Sequence, residues 1–551
     1  MSAALRAKAP LLLPLALRRY ARATPEATAI VEPGRTWSFA ALDVLADALA
    51  AGLVAFGVRP GDRVALLAAP AATAIALLVA AARVGACVAP LGTRLAAPEL
   101  AAAGREIVPR LAVHDRERAS EAAMLTAPSV PLDALAERLA GDPLAGVLAG
   151  DPVAPGESGG SSIDGAPGAA DLEPDAPAVA VLTSGTAGRP KVALLSHAAL
   201  AASAAAWSAA LPPATGWLLC LGLAHVAGLG VAWRSIGAGV PLRIVPEFDP
   251  GAVLGALREG QVSHVSLVPT QLARLLDMVD NAGRTPADPG TTRAVAGVGA
   301  RQSSAPLRAV LLGGAPIPPS LVVRALAAGW PVVPTYGLTE AASGVTALAT
   351  SEVASHPGSA GRPLPGVALR IAVPAPDGSG EIQVRTPAAF SGYLARPEAT
   401  AAAFTLDGWL RTGDAGTLDA EGFLQVLDRR DDLLVSGGEN VVPAEVEAAI
   451  EAHPAIAEAG GVGRADPTWG AVPVAAVVLR RGAPTPGSAE LRAFCRARLA
   501  PYKVPVTFVG VAARPRTVSG KLRRTELRAT LVGAPPGGSE MADESQNEAG
   551  A

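Results

Sequence analysis

Val181 to His197 reads VLTSGTAGRPKVALLSH: a short apolar run, a loop of small and hydroxyl residues closing on a lysine, then apolar sequence again. The apolar runs read as strands, and the loop between them as a phosphate cradle. Gly185 and Gly188 free the backbone for left-handed conformations and close approach to a ligand. Thr183, Ser184 and Thr186 add hydroxyls to the exposed amides, Lys191 supplies a point charge, and Pro190 stiffens the approach to it. A glycine- and hydroxyl-rich turn is ordinarily only a turn. A Walker A loop is ruled out, because it needs a longer spacing before Gly-Lys and a Ser or Thr after the lysine, where this chain has Val192.

Outward from that loop, the chain alternates helical and strand patterns. Trp37 to Ala68 passes through a helical pattern, a Gly/Pro turn and a strand, and the unit ending RVGACVAPLGTRL at Leu95 repeats the rhythm. Alternation of this kind predicts an α/β fold of helix-covered, mostly parallel sheets. Val64 to Ala82 is apolar for long enough to imitate a membrane span, but Pro70 divides it into a strand and an alanine-rich helix. LLLPLAL at Leu11 to Leu17 imitates a signal peptide. Arg18 and Arg19 follow it with no small-residue cleavage site, so an amphipathic opening helix is expected instead.

The 551 residues suffice for more than one domain, and the formal net charge of -3 argues against a nucleic-acid or anionic-membrane surface. Neither nucleic acid nor membrane insertion is therefore expected. The partner indicated is a small molecule, and the sequence leaves open whether copies associate as a homo-oligomer. Cys87, Cys220 and Cys495 are odd in number and far apart, which suits buried thiols in the cytoplasm better than disulfides or zinc. Two stretches, 141–177 and 281–305, have the Gly/Pro/Ala composition of flexible insertions. The expected organisation is a large domain over 1–430, a small mobile α+β domain over 431–532, and a tail over 533–551 with the composition of disorder.

Several later segments could serve a nucleotide. AVLLGGAPIP, from Ala309, ends a buried strand in Gly313 and Gly314. VVPTYGLTE, from Val332, offers Tyr336 as a stacking ring, Thr339 as a hydroxyl and Glu340 as a hard oxygen for magnesium. LRTGD places Asp414 after a glycine, in what reads as a tight turn. The charged run DRRDDLLVSGGEN, from Asp428, carries Gly437 and Gly438 ahead of a helix opened by Pro443 and Glu445. His225 and Arg234 sit in an apolar, glycine-rich stretch, where a lone histidine is more often a core residue and a lone arginine more often a surface charge.

Taken in order, TSGTAGRPK, YGLTE, LRTGD, SGGEN and SGKLRR resemble the signature series of the adenylate-forming superfamily, which includes acyl-CoA synthetases, luciferases and amino-acid adenylation domains. The resemblance covers the chain from about Trp37 to Arg524. It implies a ligase that uses ATP and Mg2+ to make an acyl-adenylate and then transfers the acyl group to coenzyme A. It implies that Thr183, Ser184, Gly185, Thr186 and Lys191 hold the β- and γ-phosphates, that Thr339 and Glu340 hold the α-phosphate and metal, and that Asp414 and Arg429 grip the ribose. Tyr336 and Gly314 would flank adenine. Lys521 would bridge the carboxylate and α-phosphate. Asp431 would be the hinge on which the small domain turns to bring Gly437 and Gly438 to the thioester step.

AHVAGLGVAWRSIGAG, SLVPTQLARLL and LLGGAPIPPSL resemble the o-succinylbenzoate-CoA ligase branch, of menaquinone biosynthesis. That branch implies His225 and Arg234 in the acid pocket, with Arg234 on the aromatic carboxylate. Another acyl- or aryl-CoA synthetase, an amino-acid adenylating enzyme and a catalytically impaired homologue stand as alternatives. The last is suggested by Ala187 and Val192, which stand where the family usually has Thr and Gly. Asp428 and Val442 likewise stand where a Gly and a Tyr are common.

Overall fold

A computed structural model of the chain describes residues 12–137, 172–183, 190–282, 307–315, 317–374, 378–429, 434–441, 443–515 and 524–532. The described residues group into two compact units. The larger takes in residues up to Thr93, then Gly104–Leu182 and Val192–Asp428; the smaller takes in Arg94–Ala103, Thr183–Lys191 and the chain from Arg429 onward. The linker and insertion expected at 141–177 and 281–305 fall almost wholly outside the described residues, as does the tail from Gly533.

Strand and helix alternate through the larger unit as the apolar periodicity predicts. Arg63–Leu67 is a buried strand and Ala72–Val84 the alanine-rich helix after it, so Pro70 does divide the apolar stretch. This helix lacks a capping side chain of its own: Ala71 precedes it, and the Ala72 amide donates instead to Glu32 Oε2 at 2.9 Å. A first-turn amide would otherwise stay unpaired, so a distant carboxylate serves as the cap. At the other end Gly85, at φ 74°, takes the left-handed conformation that ends a helix most easily at glycine. The opening helix, Leu13–Ala23, packs on Phe39–Ala55. Arg18 and the buried Arg83 share Asp47, and Arg83 also pairs with Asp43. Cys87, Cys220 and Cys495 are buried free thiols. No described helix is long and apolar enough to cross a membrane.

Three sheets form the larger unit among the described residues. A seven-stranded sheet runs from Gly392–Tyr393 through Lys191–Ser196, Pro177–Thr183, Cys87–Pro90, Arg63–Leu67 and Leu111–His114 to Ser129–Pro131. A nine-stranded sheet has a parallel centre, in the order Val332–Tyr336, Ala309–Leu312, His264–Leu267, Trp217–Leu219, Leu242–Ile244 and Thr28–Glu32, with antiparallel edges. The central strands of both sheets are mostly apolar and buried, as strands covered on both faces require, though His264 and Ser266 are buried polar residues in one of them. The third sheet has four strands and carries Leu410–Leu418 between Gly380–Arg385 and Leu424–Arg429. The smaller unit is α+β: the hairpin Leu434–Ser436 and Glu439–Val441, the long antiparallel pair Ile456–Asp466 and Gly470–Leu479, and Thr507–Gly510, beside the helices Pro443–Glu451 and Ser488–Arg496.

Candidate active site

In a parallel sheet the open ground for a ligand lies beyond the carboxyl ends of the strands. In the nine-stranded sheet Ala309–Leu312 and Val332–Tyr336 run side by side, with Leu312 opposite Pro334. Their continuations, Gly313-Gly314 and Gly337 to Glu340, leave the sheet together. A Cβ on Gly313 would stand 2.3 Å from Thr335 Oγ1, so this position must be bare. Gly314 follows at φ +77°, exposed, where a Cβ would meet Val268 Cγ1 at 3.5 Å.

The loop carrying Thr339 and Glu340 is tightly determined. A Cβ on Gly337 would fall 1.4 Å from the Ser343 carbonyl oxygen, because the chain doubles back there. The reversal uses two consecutive non-glycine residues at positive φ, Ala342 at 47° and Ser343 at 93°. Ser203 Oγ donates to the Ala342 carbonyl at 2.7 Å and the Ser343 amide donates to Leu338. Such backbone persists only where the surroundings over-determine it. Gly337 was not singled out from the sequence, since nothing local announces the carbonyl that approaches it.

Asp414 departs from expectation. It is not in a tight turn but within the strand Leu410–Leu418, buried to 6% exposure. The reason is a bulge: Gln383 pairs with Arg411 and Glu381 with Ala415, leaving the intervening stretch with extra residues, and Gly413 takes φ +74°. The bulge re-aims the carboxylate, and the Tyr336 hydroxyl donates to its Oδ2 at 2.6 Å.

Glu340 lies in the single 3-10 turn Thr339–Ala341, half-buried. Its Oε1 accepts the hydroxyl of Tyr393 at 2.7 Å, a residue that sequence reasoning passed over. Among the described residues no cluster of three or more His, Cys, Asp or Glu could cage a metal. One hard carboxylate fits magnesium, which ordinarily takes one or two protein oxygens and completes its shell from phosphates and water.

His225 is half-buried at the N-terminal edge of the helix Val226–Ala238, and Arg234 lies in its third turn. The two Cα atoms stand roughly 13 Å apart along the axis, by the rise per residue. The Arg234 side chain folds back toward the helix N-terminus, its Nη1 3.1 Å from where a Cβ on Gly230 would be. It is not a surface charge: 3% exposed, it has its Cζ 4.6 Å from the Trp217 ring and 5.6 Å from Trp207, and Nη2 donates to Ser266 Oγ at 3.2 Å. Nε has no hydrogen-bond partner, and no described carboxylate pairs with the group. Burial pulls its pKa down to about 9. Two aromatic faces offset part of that cost.

Thr183 ends one strand and Lys191 begins the next, with Thr183 Oγ1 donating to the Lys191 carbonyl at 3.4 Å. Val192 is a buried sheet residue, 2% exposed, so its side chain packs in the core. Ser184, Gly185, Thr186, Ala187, Asp431, Val442 and Lys521 lie outside the described residues, as do the side chains of Asp428 and Arg429. In the smaller unit Gly437 and Gly438 form the two-residue turn of a hairpin, at φ 60° and 87°, with Ser436 opposite Glu439. Both positive angles suit glycine, and a Cβ on Gly437 would also meet the Trp469 ring at 2.6 Å.

The fold and the two loops that leave this sheet together accord with one class: the chain belongs to the AMP-binding enzyme family, whose pattern matches residues 17–394, with the pattern of the family's C-terminal domain at 445–521. It is similar to the 2-succinylbenzoate–CoA ligase of Geobacillus kaustophilus, at 38% identity over 522 residues, covering 94% of this chain and 97% of that one. Among solved structures it is similar to a double mutant of o-succinylbenzoate CoA synthetase from Bacillus subtilis bound with its product analogue OSB-NCoA. That match has a TM-score of 0.81 at 31% identity and covers 96% of this chain and 99% of the other. The same synthetase in complex with ATP and magnesium ion matches with a TM-score of 0.63 at 31% identity, covering 93% and 99% of the two chains.

Proposed function

We propose that this chain is an ATP-dependent acid–thiol ligase that converts o-succinylbenzoate to o-succinylbenzoyl-CoA through an acyl-adenylate, a step of menaquinone biosynthesis. The observation that carries the substrate reading is Arg234. A guanidinium buried beside Trp217, with no described carboxylate partner, suits a substrate that brings a second carboxylate into an apolar site. An unpaired charge on either side would be costly, and a charge-assisted fork satisfies both.

In this reading the succinyl carboxylate attacks the α-phosphate of ATP and pyrophosphate leaves; the thiol of coenzyme A then takes the acyl group and AMP leaves. The first step is mostly positioning and charge stabilisation. Tyr336 and Gly314 flank adenine, Asp414 and Arg429 grip the ribose, and His225 lines the acid pocket near the reacting carboxylate. Thr183, Ser184, Gly185, Thr186 and Lys191 hold the outer phosphates. Thr339 holds the α-phosphate. Glu340 would hold Mg2+, which when bound would supply neutralisation of the phosphate charge. Lys521 serves adenylation by bridging carboxylate and α-phosphate, and the smaller unit turns about Asp431 so that the Gly437-Gly438 turn serves the thioester step. The three buried free thiols support a reducing, cytoplasmic setting.

The test is pyrophosphate release from ATP and Mg2+ with a panel of acids, followed by CoA addition. Release with o-succinylbenzoate, and thioester on adding CoA, is the expected outcome. An enzyme that ignores o-succinylbenzoate but accepts benzoates or fatty acids overturns the substrate and leaves the ligase class standing.

A further inference from the structure

We propose that Tyr393 is a positioning residue for the metal-binding carboxylate of Glu340, fixing that carboxylate to the strand that leaves the phosphate loop. The proposal rests on the reading of Glu340 as the magnesium ligand. Glu340 sits on a single turn of 3-10 helix, and an unassisted glutamate there would sample several rotamers. One bond fixes the backbone of the residue and a second removes that side-chain freedom. The Phe390 amide donates to the Glu340 carbonyl at 2.9 Å, and the Tyr393 hydroxyl donates to Oε1 at 2.7 Å.

Tyr393 is itself held on three sides. The short strand Gly392–Tyr393 pairs antiparallel with Lys191–Ser196, Tyr393 lying opposite Ala193 and Gly392 opposite Leu194. The flanking amides of Ser391 and Leu394 donate to Leu194 and Val192 at 2.8 and 2.9 Å. Its own amide donates to Thr400 Oγ1 at 2.8 Å, and its ring packs edge-on to Phe390 at 4.8 Å between centroids. The strand that starts at Lys191 therefore sets where Tyr393 stands, and Tyr393 sets where one carboxylate oxygen of Glu340 points. The second oxygen is left for the metal. A partner that orients a ligating carboxylate removes rotamer freedom that metal binding would otherwise have to restrict.

A merely structural tyrosine, satisfied by the nearest carboxylate, would give the same distances but not the same response to metal. The test uses the full chain as wild type, Tyr393→Phe, Glu340→Gln and the double variant. Binding of Mn2+ in the presence of ATP is read by electron paramagnetic resonance, beside the Mg2+ dependence of pyrophosphate release and the thermal midpoint. Tyr393→Phe keeps the ring and the strand pairing and removes only the hydroxyl. It should weaken Mn2+ binding and raise the Mg2+ requirement roughly tenfold. CoA transfer from supplied acyl-adenylate and the thermal midpoint should stay at the wild-type values. Added to Glu340→Gln, it should cost nothing further. Wild-type Mn2+ binding by Tyr393→Phe, or an equal loss in both half-reactions with a fallen midpoint, overturns the proposal. If Glu340→Gln itself binds Mn2+ as wild type, the reading of Glu340 falls first, and that outcome is separately visible.

Discussion

The Tyr336 hydroxyl donates to Asp414 Oδ2 at 2.6 Å, joining residues 78 positions apart and both nearly inaccessible to solvent. The ring expected under adenine and the carboxylate expected at the ribose are thus one hydrogen-bonded unit, and the strength of each depends on the other.

Tyr336→Phe keeps a stacking face and deprives Asp414 of that donor. A lost bond to a buried charged group costs about 1–2 kcal/mol, so the apparent KM for ATP should rise roughly 5- to 30-fold. With 2′,3′-dideoxy-ATP, which has no ribose hydroxyls for Asp414 to accept, wild type and variant should agree within about twofold. Equal losses with both nucleotides would mean that the ring, not the carboxylate, had been disturbed.

Arg234→Ala should lower kcat/KM for o-succinylbenzoate roughly 30- to 1000-fold, the loss expected of about 2–4 kcal/mol of charge-assisted contact. A monoacid lacking the aromatic carboxylate should be nearly indifferent. Gly230→Ala tests the same geometry from the other side, because its Cβ would lie 3.1 Å from Nη1 and push the guanidinium aside. It should impair the diacid selectively as well. Kinetics that drop alike for both acids would assign Arg234 to packing alone.

Gly337→Ala and Ser343→Gly should shift stability in opposite directions. The first drives a Cβ into the Ser343 carbonyl and should cost on the order of 3 kcal/mol or more. The second relieves a non-glycine residue at φ 93° and should stabilise by about 1 kcal/mol. Denaturant midpoints of the two variants check both signs.

Burial holds the imidazoles of His197 and His264 down at about 4, against an ordinary value near 6.5. Both are within 3% of full burial, and His264 also feels the charges of Arg234 and Arg308. Below pH ~6.5 the unfolded chain takes up protons that the folded chain refuses. Stability is therefore fully present above that pH and declines as the pH falls toward 4, by up to about 1.4 kcal/mol per pH unit for each group. A pH series of denaturation midpoints should show this acid limb, and His197→Leu should flatten it by one proton. An unchanged slope would remove His197 from the account.

Much of this architecture is written locally. Pro70 between two apolar patterns, Gly313-Gly314 after AVLL, and the hydroxyl and carboxylate of YGLTE can each be read in a short window, because hydrophobic period and turn chemistry act over a few residues. The position of Asp414 was not legible in that way. Its LRTGD context looks like a turn, and only the pairing of Gly380–Arg385 with Leu410–Leu418 makes it a strand bulge.

The sequence by itself determined the family and the alternation of strand and helix, because each is a property of neighbouring positions. Tertiary structure alone decided that Tyr336 holds Asp414, that Tyr393 reaches Glu340, that Gly337 must yield to a carbonyl, and that Arg234 lies against two tryptophans beside a bare Gly230. These depend on strand register and on the close packing of segments far apart in the chain. Short-range periodicity carries no record of such distances.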